Sequence, residues 1–198
     1  MKIPVFPLNG AVLFPNTSIP LNIFENRYLE MVDYALANGR LIGMIQSDKN
    51  KQFYQIGCIG KIYNFNETDD GRYLISLQGM SCFKVVKHVE LDLNFKILEI
   101  QKIDNLLENT YNFKKDQKEN LLTKYNNYIK SKEINIDISE LNKIELPQLL
   151  KFITMVSPFE DAEKQALLET LEINEFYEKL LSILDIETIG QLDKKDLN

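Results

Sequence analysis

The distribution of glycine divides the chain near Asp104, and this division constrains the fold more than any other feature. Every glycine except Gly190 lies before that position. The first part consists of short apolar and β-branched runs separated by turn residues, a pattern typical of strands. The second part has longer stretches with apolar residues at helical spacing. We therefore expect a β-rich subdomain over residues 1–104, a helical bundle over 105–190 and a polar tail over 191–198.

The first part predicts six or seven short strands and a strong hairpin signal. Asp70-Gly71 favours a tight turn, because glycine tolerates positive φ and aspartate tolerates the left-handed region. Strands spaced this closely favour an antiparallel barrel or sandwich over a parallel sheet. The predicted strands are Ile3–Phe6, Thr17–Ile23, Arg40–Gln46, Ile56–Phe65, Arg72–Leu77, Ser81–Val89 and Phe95–Ile100.

One helix is expected within the β-rich part and four in the second part. The embedded helix is expected within the segment from Asn22 to Gly39, with Glu25 in its first turn and Gly39 as its stop. Pro147 suits the first turn of a later helix, since the missing N–H costs nothing there. The later helices are predicted at Asn112–Lys132, Pro147–Val156, Phe159–Glu172 and Asn174–Leu184.

The charge of the chain disfavours nucleic acid as a partner. Residues 1–104 carry 11 Lys+Arg and 11 Asp+Glu, whereas residues 105–198 carry 12 and 18, so the net charge of −6 belongs to the second part. Phosphate backbones are bound by clustered basic residues, which this balance disfavours. No apolar stretch approaches the length of a membrane span, and the N-terminus lacks an apolar signal-peptide core. We expect a cytoplasmic protein without a membrane partner.

Residues for catalysis or metal binding are sparse. His88 is the only histidine, and Cys58 and Cys82 lie within apolar strand-like runs, where we expect buried thiols. A phosphate-binding loop, a nucleophile elbow and a zinc-protease motif are all missing from the sequence. The sequence therefore predicts no catalytic residue, no metal site, no cofactor and no enzymatic activity.

Several motifs follow one another in a fixed order along nearly the whole chain. They are Val5-Phe6-Pro7-Leu8, Ala11-Val12-Leu13-Phe14-Pro15, the segment 19–28 (IPLNIFENRY), the segments 41–45 and 56–62, Asp70-Gly71-Arg72-Tyr73, the segment 77–83 and Lys164-Gln165-Ala166-Leu167-Leu168-Glu169. Together they resemble the amino-terminal substrate-recognition domain of Lon proteases. The resemblance implies an α+β fold, in which an antiparallel PUA-like pseudo-barrel with one embedded helix precedes a helical bundle.

The resemblance also implies a role in recognising protein rather than in catalysis. In full-length Lon proteases this region precedes an ATPase module and a protease module, and we expect a stand-alone member that lacks both. Its partner would be an unfolded polypeptide or another protein. The oligomeric state stays open.

The motif region contains six candidate partner-binding residues. In a structural interpretation Phe14 and Ile23 pack the barrel, while Arg27 lies on a helix surface and pairs with Glu25 or Glu30. In a functional interpretation an apolar groove between barrel and bundle receives hydrophobic client segments, with Arg27 at its rim. The six residues are Phe14, Pro15, Ile23, Phe24, Arg27 and Tyr28.

An RNA-binding PUA-like domain is the alternative function. Binding of RNA that weakens steeply with salt would favour it. If the chain binds polypeptides instead, substitution of Phe24 or Tyr28 by alanine is expected to weaken that binding without unfolding the protein.

Overall fold

The computed structural model describes residues 1–103, 113–134 and 138–196. These residues form two compact units. The first unit contains the described residues up to Ile103 together with residues 158–169, and the second contains the remaining described residues. The subdomain boundary predicted at residues 104/105 lies outside the described residues.

The first unit contains the sheet and two helices. Helix α1 (Asn26–Ala37) lies between the second and third strands in sequence, and α4 (Asp161–Leu168) is contributed by the later segment. The strands are β1 (Lys2–Pro7), β2 (Ser18–Ile23), β3 (Leu41–Ile45), β4 (Ile56–Glu67), β5 (Tyr73–Val89) and β6 (Lys96–Lys102).

The six strands form one mixed sheet that closes partially into a ring. Their order is β2-β5-β4-β3-β1-β6, and an additional pairing joins β5 to β6. Strand β5 makes this possible because its first part pairs with β2 and its last part pairs with β6. The predicted α+β class with an embedded helix is confirmed. One pairing, β1 with β3, is parallel.

The predicted hairpin is confirmed, and its second strand is longer than expected. Gly71 adopts φ +79° at the turn, and its N–H bonds to the Thr68 carbonyl. The separate strands predicted before and after residue 80 are one continuous strand, β5. Gly79 pairs with Gly60 and Ser81 with Ile59, so Met80 is an extra residue. A β-bulge of this kind bends a strand without ending it.

The embedded helix stops where the sequence predicts. Asn38 caps α1 and Gly39 has φ +91°, a conformation that glycine adopts without strain. The helix lies within the predicted segment and begins at Asn26; Glu25, expected in the first turn, is instead the extended N-cap residue.

The second unit is helical. Pro147 lies in the first turn of α3 (Leu146–Val156), as predicted. The last helix, α5 (Ile173–Asp196), was predicted to end at Leu184, and its backbone instead continues through most of the predicted tail. The unit also contains α2 (Lys115–Ser131) and a short 3₁₀ helix, Ser139–Lys143. The start predicted for α2, at Asn112, lies outside the described residues.

Two apolar clusters stabilise the first unit. The larger cluster includes α1 residues such as Met31 and Val32 together with strand residues such as Ile42 and Leu77. The smaller cluster consists of Ile3, Val5, Ile45, Ile59, Phe83, Leu98 and Ile100. Successive strand residues such as Leu98 and Ile97 belong to different clusters, because side chains alternate between the two faces of a strand.

Polar contacts join α2 to α5 within the second unit. The Asn120 amide donates to the Tyr177 hydroxyl at 3.1 Å, and that hydroxyl donates to the Gln117 carbonyl at 3.1 Å. Lys124 pairs with Asp185. These bonds satisfy the buried end of Tyr177, whose ring packs in the core.

Candidate functional site

Four of the six candidate binding residues are buried in the first unit. Phe14, Pro15, Ile23 and Tyr28 all lie in its interior. Tyr28 packs edge-on against Phe6, with ring centroids 4.7 Å apart. For Phe14 and Ile23 this placement is the one that the structural interpretation of the motif expects. These four side chains therefore pack the interior of the first unit.

The loop that contains Phe14 lies directly against β5 at Gly79. A Cβ atom at Gly79 would lie 2.0 Å from the Phe14 carbonyl oxygen, a distance at which real atoms do not pack. Thr17 closes the loop, since its hydroxyl donates to the Phe14 carbonyl at 2.7 Å. The Gly79 N–H in turn donates to the Thr17 carbonyl at 2.8 Å. Glycine at position 79 therefore permits the close approach that buries Phe14.

Phe24 and Arg27 are the two exposed members of the candidate set. Phe24 joins β2 to α1 and is 66% exposed. The Arg27 guanidinium pairs with Glu25 at 2.7 Å, which is one of the two pairings predicted from the sequence. It also lies 4.5 Å from the centroid of the Tyr28 ring. The hydrogen bond to Glu25 raises the pKa of Arg27, and burial raises the pKa of the Tyr28 phenol. Both partners of the ion pair are about half exposed, so it contributes little to stability.

Strand β2 forms a free edge of the sheet within the part of the chain that the structure describes. It pairs with β5 alone. The Thr17 carbonyl bonds to Gly79 of β5, so the alternating residues Ile19 and Leu21 direct their backbone groups to β5. The backbone of Pro20 then faces the open edge, where its missing N–H breaks no ladder bond. Edges of this kind pair with extended peptides unless they are blunted, and Pro20 limits how long such a pairing becomes.

Further apolar side chains are exposed on the neighbouring strands. Leu74 of β5 lies opposite Asn22 of β2 and Asn66 of β4, and it points away from the core. Tyr63 of β4 and Met80 of β5 are also exposed. We use the name outer apolar surface for Phe24 and Leu74, the exposed apolar residues at the end of the β2–β5 pairing. Of these, sequence reasoning singled out only Phe24 as a binding residue.

The Lys164-Gln165 pair of the last motif is buried and holds α4 in the first unit. The Lys164 ammonium donates to the Gly10 carbonyl at 2.8 Å, and desolvation by burial lowers its pKa. The Gln46 amide donates to the Gln165 carboxamide oxygen at 3.2 Å and to the Asp161 carbonyl at 3.1 Å. Gln165 then donates to the Ile56 carbonyl at 3.0 Å. The motif therefore has a structural role in joining α4 to the strands.

Among the described residues, no cluster of three or more His, Cys, Asp or Glu side chains is arranged to hold a metal ion. His88 lies in β5, within the strand predicted at Ser81–Val89, and its ring stacks on Phe53 with centroids 5.5 Å apart. Within the same described ranges, none of the helices combines the length and apolarity that a membrane crossing requires.

Comparison with known proteins agrees with the fold. Two solved structures are similar to the chain, each with a TM-score of 0.68: the Lon N-terminal domain protein from Xanthomonas campestris and the N-terminal domain of the Mycobacterium avium complex Lon protease. The first is 20% identical and covers 92% of this chain and 98% of that one. The second is 15% identical, with 93% and 98% covered.

Curated relatives are full-length Lon proteases. The Lon protease of Dictyoglomus thermophilum is 26% identical over 193 residues, which is 93% of this chain and 24% of that protein. That of Buchnera aphidicola subsp. Baizongia pistaciae is 26% identical over 212 residues, covering all of this chain and 26% of that protein. The chain thus spans about a quarter of the length of these relatives. The family model of the ATP-dependent protease La (LON) substrate-binding domain matches residues 2–185, and the chain belongs to this family.

Proposed function

We propose that the chain is a non-catalytic module that binds exposed hydrophobic segments of polypeptides. The observation that carries the proposal is Phe24, a large aromatic side chain left two-thirds exposed at the end of a free edge strand. Aromatic residues act as binding anchors because they bury a large area at a low cost in conformational entropy. The family to which the chain belongs is described by substrate binding, which supports this use of the surface.

The free edge of β2 supports binding with little sequence preference. Peptides that add a strand to a sheet edge form main-chain hydrogen bonds, which do not depend on side-chain identity. The outward backbone groups of Ser18 and Asn22 flank Pro20 at this edge, so a client segment would pair over a short stretch only. Apolar contacts with the outer apolar surface then supply the preference for hydrophobic clients.

Arg27 provides polarity beside Phe24. Its guanidinium is exposed and already holds the Glu25 carboxylate, so the two charges nearly cancel at the rim. A balanced rim does not select strongly for client charge, in keeping with the zero net charge of residues 1–104. This balance favours polypeptide over RNA, which requires clustered positive charge.

No catalytic activity is proposed for this chain, on the evidence of its sequence. Nucleophilic hydrolysis needs a nucleophile and a base that meet, and the one histidine, His88, lies on a strand stacked against Phe53. The proteolysis of the Lon relatives is therefore not assigned to this chain.

A binding titration tests the proposal. A globular protein kept unfolded by reduction and carboxymethylation is labelled with a fluorophore, and its anisotropy is followed as the chain is added. The matched control is the same labelled protein in its native state. Saturable binding of the unfolded form alone supports the proposal. Equal binding of both forms, or of neither, contradicts it, and salt-sensitive retention of structured RNA without polypeptide binding would establish the alternative function.

A further inference from the structure

The two cysteines face each other across the longest strand pairing of the sheet. Cys58 of β4 and Cys82 of β5 are direct Cα partners in an antiparallel ladder. Residues directly opposite each other in such a ladder project their side chains from the same face. Both thiols are buried, with 0% and 2% of their surfaces exposed. The sequence predicts buried thiols but does not pair them, because their separation of 24 positions says nothing about strand register.

Backbone hydrogen bonds show which kind of pair this is. The Cys82 carbonyl accepts a bond from the Ile103 N–H at 2.9 Å, on the β6 side of β5. Three residues further on, the Val85 N–H donates to the Gln55 carbonyl at 2.8 Å, on the β4 side. Because backbone groups alternate between the two sides of a strand, Cys82 directs its own groups away from β4. Cys58 and Cys82 therefore occupy a non-hydrogen-bonded position of the β4–β5 ladder.

At such positions the Cα atoms of an antiparallel pair are about 4.5 Å apart, and the side chains approach more closely than at hydrogen-bonded positions. A disulfide requires a Cα separation of about 4.4–6.8 Å. The ordinary geometry of this ladder position thus falls within the disulfide range without movement of either strand.

We propose that Cys58 and Cys82 are an oxidation site and form a cross-strand disulfide that staples the β4–β5 hairpin. With hydrogen peroxide as oxidant, one thiolate attacks a peroxide oxygen and breaks the O–O bond, which gives a sulfenic acid; the expelled hydroxide takes up the proton that the thiol lost and leaves as water. The second thiolate attacks the sulfenic sulfur and displaces hydroxide, which leaves as water with the remaining proton. In total two thiols are oxidised to one disulfide, and one peroxide is reduced to two waters. Burial of both sulfurs requires the hairpin to open before an oxidant reaches them, so oxidation of the native protein is slow.

The disulfide and the native fold stabilise each other by the same factor. Closing a loop between residues 58 and 82 restricts the unfolded chain. By thermodynamic reciprocity, folding must then favour the disulfide over the dithiol to the same extent. For cross-links of this kind the factor is about 30- to 1,000-fold.

The experiment measures this factor in the full chain. The protein is equilibrated with mixtures of reduced and oxidised glutathione, once under native conditions and once in concentrated urea. After rapid alkylation, mass spectrometry quantifies the peptide that links Cys58 to Cys82. We expect half of the native protein to carry the disulfide at a glutathione ratio at least about 30-fold more reducing than the ratio that the unfolded chain in urea requires. The proposal is overturned if the native protein needs an equal or more oxidising glutathione ratio than the unfolded chain. It is also overturned if the product is mainly glutathionylated or intermolecularly linked.

Thermal unfolding provides a second readout. The oxidised chain should unfold about 5–10 °C above the reduced chain. The Cys58→Ser/Cys82→Ser double variant should show no difference between oxidising and reducing buffer. Because the wild-type comparison stands alone, a variant that folds poorly leaves the test intact. A wild-type unfolding temperature that is unchanged or lowered by the disulfide would contradict the inferred geometry.

Discussion

Substitution of Gln46 by alanine tests whether the buried polar network holds α4 to the strands. Gln46 is 1% exposed, donates to Gln165 and Asp161, and accepts a bond from the Gly10 N–H at 3.1 Å. Gly10 is exposed, so its N–H can bond to water instead. The Gln165 carboxamide oxygen is buried and loses its donor, at a cost of about 1–3 kcal/mol. The space vacated by the Gln46 side chain adds to this, for a total of about 2–4 kcal/mol.

Urea unfolding followed by circular dichroism measures this loss, which should appear as a lower midpoint with an unchanged m-value. The matched control is Gln101→Ala, since Gln101 is also a strand glutamine but is exposed. It should change the free energy of unfolding by no more than about 0.5 kcal/mol. A double variant with Gln165→Ala should be less destabilised than the sum of the single variants, by about 0.5–3 kcal/mol. If Gln46→Ala and Gln101→Ala have equal effects, the network does not stabilise the unit and the reasoning fails.

Three further predictions concern the first unit. Tyr28→Ala should lower the free energy of unfolding in urea by about 3–5 kcal/mol, because the ring is buried against Phe6. This variant is therefore not the clean binding test that the sequence suggested. A loss below about 1 kcal/mol would refute the core position of Tyr28. Gly79→Ala should lower the free energy of unfolding by about 1–3 kcal/mol, because the new methyl group meets the Phe14 backbone. If the variant is as stable as the wild type, the loop is displaced without cost and the prediction is wrong. Arg72 and Thr68 lower the pKa of Asp70 to about 2, so the stabilising contribution of Asp70 is complete above its ordinary pKa of 3.8 and is lost as pH falls through about 2. An NMR titration should give that value and show it rising toward the ordinary one in Arg72→Ala, and an Asp70 midpoint unaffected by Arg72→Ala would contradict it.

The elements that could be predicted from the sequence are those whose signals are local. Gly39 ends α1 and Gly71 forms the hairpin turn because each position requires positive φ. A glycine in the sequence indicates such a position directly, since it adopts positive φ without strain. Pro147 marks the start of α3 for a similarly local reason. The parallel pairing of β1 with β3 could not be predicted, because it depends on the path of the chain through α1 and on no residue in either strand.

Burial was harder to predict than secondary structure. Phe14 and Phe24 both lie in apolar motif segments, yet Phe14 is fully buried and Phe24 is exposed. The difference arises at Gly79, 65 positions after Phe14, where the missing side chain leaves room for the loop. Lys164 is the opposite case, since a lysine on a short helix is normally a surface residue, and here its ammonium donates to the Gly10 carbonyl. Both outcomes depend on contacts between distant segments.

Comparison of Phe24→Ala with Phe152→Ala tests the central claim most directly. Phe152 is also an exposed phenylalanine, 39% accessible, but it lies on α3 in the second unit. Anisotropy titration with the labelled unfolded protein gives the Kd of each variant, after circular dichroism has shown that both fold. Loss of one aromatic anchor worth 1–2 kcal/mol should weaken binding by Phe24→Ala about 5- to 30-fold, while Phe152→Ala stays within about twofold of the wild type. A Phe24→Ala variant that binds as tightly as the wild type would contradict the assignment of the outer apolar surface as the polypeptide-binding site.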